Sequence, residues 1–162
     1  YLDIISAKTA SLFGASMRVG GCINNRSKKE KEALESFGRN LGICFQITDD
    51  ILDYSSKEKV FGKKIGNDFL EGKITLPIIL LFQKSSKIER QMLNKFFTQN
   101  SRNQDDFQKI VGLIDKHKII EICKKRADYF SNVAADSLSI FEKNFTIEKL
   151  QELSFYIVNR LN

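Results

Sequence analysis

Three aspartates and a glutamine occur at helical spacing within the first third of the chain. Asp49 and Asp53 are four residues apart, so in a helix they lie on one face, with Asp50 at its edge and Gln46 one turn earlier. Oxygen ligands gathered on one face suit Mg²⁺, which proteins often share with phosphate oxygens. The spacing indicates a metal–phosphate site, and the alternative is an ordinary acidic patch on a solvated helix face.

The neighbours of these aspartates favour the metal–phosphate interpretation. Residues from Leu41 to Leu52 are mostly apolar, and a helix that is apolar nearly all round is buried. Like charges in a low-dielectric cavity repel one another at a cost of several kcal/mol unless something offsets them. Divalent cations offset that repulsion directly, so we expect the aspartates to face an interior cavity.

Histidine and cysteine offer little for catalysis. A zinc centre or a Ser–His–Asp triad would depend on His117 alone, because it is the single histidine, and we expect an ordinary residue on a helix surface. Cys22, Cys44 and Cys123 are far apart and odd in number, so they fit neither a CxxC metal knuckle nor a disulfide framework. We expect the chemistry to use carboxylates, lysines and hydroxyls.

Composition predicts an all-α protein. The 162 residues are 42% hydrophobic, include one proline, and show few strand-like alternating stretches. The longest apolar run, Leu76–Phe82, is far too short to span a bilayer, so no transmembrane segment is expected. No signal peptide is visible, and we expect a cytoplasmic location.

The net charge of +6 leaves the class of partner open. Such a charge is compatible with a nucleic acid, a membrane surface or a polyphosphate ligand, and equally with a solubilising surface. The basic residues are scattered along the chain, whereas a nucleic-acid-binding helical protein would gather them on one face. We therefore expect no nucleic-acid partner.

Helices must position the candidate residues. We predict helices over about residues 1–23, 29–56, 75–85, 87–98, 104–115 and 118–141. A last helix is expected to use Ile147, Leu150, Leu153 and Ile157 as its apolar face. The glycine- and lysine-rich stretch from about 57 to 73 is predicted to be a connection, and no linker divides the chain.

The context of the aspartates resembles a known family. The stretch Phe37–Tyr54 closely resembles the second aspartate-rich motif of the trans-prenyltransferases, in particular of the long-chain polyprenyl diphosphate synthases. The block Lys8-Thr9-Ala10 and the segment Phe61–Pro77 are also similar, the latter to a Gly-Lys-x-x-Gly-x-Asp-x-x-Glu-Gly-Lys-x-Thr-Leu-Pro pattern. The ending Leu150–Arg160 resembles the family's C-terminus, so the resemblance spans the chain.

This resemblance implies a fold and an activity. The fold would be the C-terminal portion of an isoprenoid-synthase-type helical bundle, with residues 1–162 forming part of a single synthase domain. The substrates would be an allylic isoprenoid diphosphate and isopentenyl diphosphate, joined after Mg²⁺-assisted ionisation of the allylic partner. The full-length protein would be a homodimer.

The resemblance also assigns roles within the acidic helix and the Lys-Thr-Ala block. Asp49 and Asp50 are expected to bind Mg²⁺ bridged to the allylic diphosphate, and Asp53 to complete the motif. Thr9 and Gln46 match groups placed beside the developing cation, where neutral dipoles stabilise charge without acting as nucleophiles.

Lysines complete the expected site. Lys8 matches a diphosphate-binding and catalytic lysine, although taken alone it would be interpreted as a lysine lying along a helix surface. Lys63 and Lys73 match diphosphate-binding lysines, with Lys64 as the alternative to Lys63. The competing interpretation of these last residues is a charged, solvated loop ordered by its own salt bridges.

The chain also departs from the family pattern. Asn67 replaces an acid often found before Asp68, and Ile74 stands where proline is common. The family's upstream Asp-Asp-x-x-Asp motif and the basic residues that bind isopentenyl diphosphate are absent from residues 1–162. We therefore expect the chain to be the C-terminal part of a synthase and to be inactive by itself. Its sequence does not indicate the length of the product. The alternative is a non-catalytic or split subunit of a heteromeric prenyl synthase.

Overall fold

The computed structural model describes residues 1–55, 65–99 and 101–161, and within these ranges the secondary structure is helical with no strand. The elements are α1 (Leu2–Ile5), a π-helical turn (Ser6–Ala10), α2 (Ser11–Ile23), α3 (Lys28–Leu52), α4 (Asn67–Leu70), α5 (Leu76–Lys84), α6 (Lys87–Thr98), α7 (Gln104–Lys116), α8 (Ile119–Ser137) and α9 (Phe145–Asn159). The all-α prediction is confirmed. No helix in the described ranges is long and apolar enough to cross a membrane.

The chain groups into two compact units. The first contains Tyr1–Thr48 and Lys124–Asn162, and the second contains Asp49–Cys123. This grouping does not test the prediction that residues 1–162 are part of a single synthase domain, which stays a prediction.

Close helix packing characterises the first unit. Gly42 of α3 lies against Ala10, and a Cβ at this glycine would come within 2.7 Å of the Ala10 Cα. On α8, Ala127 and Ala134 are fully buried, and so is Leu138, which directly follows the last residue of the helix. A hydrogen bond of 2.8 Å between the Ser36 and Ser137 hydroxyls adds a polar contact from α3 to the end of α8.

The last helix buries a different face from the predicted one. Ile147 and Ile157 are buried, but Leu153 is 43% exposed and its neighbour Ser154 is fully buried. The Ser154 hydroxyl donates to the Gln151 carbonyl, which satisfies a polar side chain in the core. The assignment of Leu153 to the apolar face was therefore wrong, because a serine occupies the buried position beside it.

An aromatic cluster forms the core of the second unit. Phe69 of α4 is fully buried, and its ring centroid lies 6.3, 5.6 and 6.0 Å from those of Phe96, Phe97 and Phe107. A single helical turn such as α4 is too short to be stable by itself. These aromatic contacts anchor it to α6 and α7.

His117 differs from the sequence expectation of a plain surface residue. It caps the C-terminal end of α7, and its Nε2 lies 3.2 Å from both carboxylate oxygens of Glu89. Glu89 also belongs to the capping box of Ser86 at the start of α6. The histidine therefore helps to join two helix ends through one carboxylate.

Candidate active site

The acidic residues lie at the C-terminal end of α3. Asp49 and Asp50 are in its last turn, and Asp53 directly follows its final residue, Leu52. Asp50 and Asp53 are only 3% and 4% exposed, and Asp49 is half-buried. Negative charge at this end of a helix opposes the helix dipole. Burial and dipole together therefore favour a nearby cation at these carboxylates.

The chain returns to Asp53 immediately before α4. The Gly66 N–H donates to the Asp53 carbonyl oxygen at 2.9 Å, and the Asp68 N–H donates to the Asp53 Oδ2 at 2.8 Å. Backbone donors that point at a carboxylate stabilise its charged form. The side chain of Asp53 is thereby held by the turn that begins α4.

A cationic side chain is joined to the same turn. Lys73 Nζ lies 2.6 Å from Glu71 Oε2 and 3.2 Å from Asp68 Oδ1. Hydrogen bonds to Glu71 and then Asp68 raise the pKa of Lys73, so its ammonium group is charged at neutral pH. The Lys73–Glu71 ion pair is exposed. At Glu71 the structure therefore supports the alternative interpretation, a charged, solvated loop ordered by its own salt bridges.

A second polar group lies in the first unit. The π-helical turn carries Lys8 and Thr9, and the Thr9 hydroxyl donates to Gln46 Oε1 at 3.1 Å. Single π-helical turns inside helices occur frequently at functional sites. Lys8 is exposed, and its side chain makes no hydrogen bond or ion pair with the described part of the chain.

The predicted site residues thus fall into two described groups. Thr9 and Gln46 are in direct contact within the first unit, whereas Asp53 and Lys73 are linked through Asp68 within the second. Helix α3 carries both Gln46 and the first two aspartates. Lys63 and its alternative Lys64 lie outside the described residues.

Comparison with known proteins decides the family. Residues 1–114 match the family model described as Polyprenyl synthetase. The chain belongs to the polyprenyl synthetase family. It is 27% identical over 160 residues to the octaprenyl diphosphate synthase of Haemophilus influenzae, covering 99% of this chain and 48% of that protein. It is 33% identical over 162 residues to the geranylgeranyl diphosphate synthase of Saccharolobus solfataricus, covering 99% and 48%.

Solved structures of the polyprenyl synthetase family share the fold. A polyprenyl synthase from Caulobacter crescentus CB15, crystallised with calcium and isoprenyl diphosphate, matches with a TM-score of 0.93 and 34% identity. The match covers 99% of this chain and 49% of that one. The family and the helical isoprenoid-synthase fold predicted from the sequence are therefore confirmed, and the chain spans about half the length of these relatives.

Two of the three cysteine thiols of this polyprenyl synthetase chain, Cys44 and Cys123, are buried. Burial raises the pKa of Cys44 to about 12, and burial with the nearby charge of Asp50 raises that of Cys123 to about 12. Neither thiol is ionised at neutral pH, so neither is a nucleophile.

The donor set fits Mg²⁺. Within residues 1–55, 65–99 and 101–161, no group of three or more His, Cys, Asp or Glu side chains is placed to hold a metal ion by itself. Mg²⁺ ordinarily takes one or two carboxylates and completes its shell with waters and substrate phosphates. The oxygen-only set of Asp49, Asp50 and Asp53 at a buried, dipole-disfavoured helix end suits that mode of binding.

Sequence reasoning did not give Asp68 its place in this site. The family pattern puts an acid at this position, but the backbone bond to Asp53 joins residues 15 apart in sequence and has no side-chain signature. The π-helical turn was likewise missed, because Ser6–Ala10 reads as ordinary helix.

Proposed function

We propose that the protein to which this chain belongs elongates an allylic isoprenoid diphosphate with isopentenyl diphosphate, and that the chain supplies its second aspartate-rich motif. The observation that carries this proposal is the burial of Asp50 and Asp53 at the C-terminal end of α3. Buried like charges at that end of a helix repel one another and oppose the helix dipole, and a cation beside them offsets both effects. The bound calcium and isoprenyl diphosphate of the Caulobacter crescentus relative support the assignment.

The first demand of this reaction is to stabilise the leaving diphosphate. Asp49, Asp50 and Asp53 would hold Mg²⁺, which when bound supplies positive charge to the phosphate oxygens. Lys73, whose pKa is raised by hydrogen bonds to Glu71 and Asp68, would bind the diphosphate directly through its ammonium group. By resemblance, Lys8 and Lys63 would do the same, and the exposure of Lys8 leaves its ammonium group accessible.

The second demand is to stabilise a carbocation without trapping it. The Thr9 hydroxyl proton is held by the Gln46 amide oxygen, and an amide oxygen is too weak a base to activate a hydroxyl. The oxygen of Thr9 therefore presents lone pairs and a dipole, rather than an activated nucleophile. Fixed dipoles of this kind stabilise developing charge at no reorganisation cost.

Prenyl transfer by the full-length gene product tests the proposal. The protein is incubated with labelled isopentenyl diphosphate, an allylic diphosphate and Mg²⁺, and the extracted polyprenyl products are separated by chain length. Elongated, labelled product is expected only when both diphosphates and Mg²⁺ are present. A folded full-length protein that yields no elongated product would contradict the proposal.

Residues 1–162 alone are proposed to be inactive, because they carry one aspartate-rich motif and the relatives are about twice as long. A cytoplasmic location and a homodimer of the full-length protein complete the proposal. Cell fractionation and light scattering test these two points.

A further inference from the structure

Asp68 connects two groups that the proposed site uses. Its N–H donates to Asp53 Oδ2 at 2.8 Å, and its carboxylate accepts from Lys73 Nζ at 3.2 Å. In addition, the Lys73 N–H donates to the Asp68 carbonyl oxygen at 2.8 Å. One residue therefore fixes both an aspartate of the acidic motif and a lysine proposed to bind diphosphate.

The position of Asp68 is itself fixed by the core of the second unit. Asp68 is 9% exposed and its chain neighbour Phe69 is fully buried, within 6.3 Å of three aromatic rings. Glu71, the other carboxylate on Lys73, has a side chain that is 58% exposed. Among the described residues, Asp68 is the ion-pair partner that joins Lys73 to a buried, packed element. An exposed ion pair contributes little geometric restraint.

We propose that Asp68 is a positioning residue, which holds Asp53 through its backbone N–H and Lys73 through its carboxylate in the geometry that receives a diphosphate. This inference rests on the proposed function and adds a role for a residue that does not itself contact substrate. Site residues held by locked neighbours retain productive geometry, and a misplacement of about 1 Å lowers activity markedly.

Charge and positioning predict opposite effects for loss of this carboxylate. Removing a negative charge beside a diphosphate site would tighten anion binding on electrostatic grounds alone. Releasing Lys73 from its restraint would weaken binding, because the ammonium group would spend part of its time elsewhere and lose rotamer entropy on binding. Whether loss of the Asp68 carboxylate tightens or weakens diphosphate binding therefore distinguishes a purely electrostatic effect from a positioning effect.

The test measures binding of inorganic pyrophosphate with Mg²⁺ to the full-length protein by titration calorimetry. Wild type is compared with Asp68→Asn, Lys73→Met and the double variant, since Asp68→Asn retains the backbone N–H and nearly the same volume. We expect Asp68→Asn to weaken binding about tenfold, and to weaken it no further in the Lys73→Met background. Equal or tighter binding by Asp68→Asn, or fully additive losses in the double variant, would overturn the inference.

Two controls keep the result interpretable. Glu71→Gln removes the exposed partner of Lys73 and is expected to change pyrophosphate affinity less than twofold. Lys73→Arg leaves Asp68 intact and keeps the positive charge, so it provides an arm that does not depend on Asp68→Asn folding. Positioning predicts binding about fivefold weaker for Lys73→Arg, and binding as tight as wild type would count against it.

Failure of the inference is distinguishable from failure of the proposed function. Wild-type protein that neither binds pyrophosphate with Mg²⁺ nor transfers prenyl groups would overturn both. Wild-type protein that does both, while Asp68→Asn behaves identically to it, would overturn the positioning role alone.

Discussion

At the scale of single residues, the candidate site contains polar groups that are already engaged in hydrogen bonds or ion pairs. The Thr9 hydroxyl donates to Gln46, and Lys73 is kept charged by two carboxylates. Each group can stabilise charge, but none is poised to attack a carbocation. This arrangement suits a reaction in which a cation must survive until the second substrate captures it.

Substitution of Thr9 tests the dipole at the cation. Thr9→Val removes the hydroxyl with little change of shape, and it is expected to lower kcat for prenyl transfer about tenfold with little change in KM for the diphosphates. Steady-state kinetics of the full-length protein measure the effect. Thr9→Ser, which retains the hydroxyl, should recover most of kcat, and Ser11→Ala, whose hydroxyl donates only to the Ala7 carbonyl, should match wild type. A Thr9→Val enzyme with wild-type kcat would contradict this role.

At the scale of elements, short segments are placed by backbone features and buried rings. The turn after α4 needs Gly72 at φ 76°, where a Cβ would fall 2.7 Å from the Arg102 guanidinium. The one-turn helix α4 is held by Phe69. These features place Lys73 beside Asp68, so the geometry of the site depends on the fold of the second unit.

Gly72→Ala is therefore expected to be harmful. The left-handed backbone costs a non-glycine residue about 1–2 kcal/mol, and the guanidinium of Arg102 would have to shift to admit the Cβ. We expect a lower melting temperature and weaker pyrophosphate binding in the full-length protein. Gly112→Ala is the matched control, because nothing lies within 4 Å of its Cβ position in helix α7 and alanine favours helix by about 0.5–1 kcal/mol. Equal melting temperatures for the two variants would contradict the argument.

The sequence predicts most helices because their signals are local. Helix α5 begins one residue after its predicted start, and α6 and α7 begin at the predicted residues. Three features were not predictable in this way. The π-helical turn lacks a composition signature. The hydrogen bond from the Asp68 N–H to Asp53 joins residues 15 apart in sequence. Ser154 is buried although serine is a polar residue.

At the scale of the whole molecule, the chain exposes apolar surface and spans about half of its relatives. On α1 and α2, Ile4, Leu12, Val19 and Ile23 are 67%, 70%, 54% and 75% exposed. Contiguous exposed apolar side chains usually mark a surface that another element covers. We infer that residues 1–162 alone would leave such a surface open to water.

Residues 1–162 expressed alone are therefore expected to self-associate and to show no prenyl transfer. Light scattering at increasing concentration and the product assay measure the two properties. Leu12→Lys is expected to reduce self-association, whereas Lys28→Ala, at an exposed side chain on the first turn of α3, should leave it unchanged. A monodisperse monomer that elongates an allylic diphosphate would contradict both expectations.

We propose above that the buried acidic end of α3 holds the Mg²⁺ that binds the diphosphate during prenyl transfer. The most direct measurement is the rate of transfer by full-length Asp49→Asn over a range of Mg²⁺ concentrations, with Asp105→Asn as the control. Asp105 belongs to the other Asp-Asp pair of the chain, in the first turn of α7. Asp49→Asn is expected to lower the transfer rate about 100-fold and to raise the Mg²⁺ concentration that gives half-maximal activity. Asp105→Asn is expected to match wild type in both quantities. Equal rates and equal Mg²⁺ requirements for the two variants would contradict this proposal.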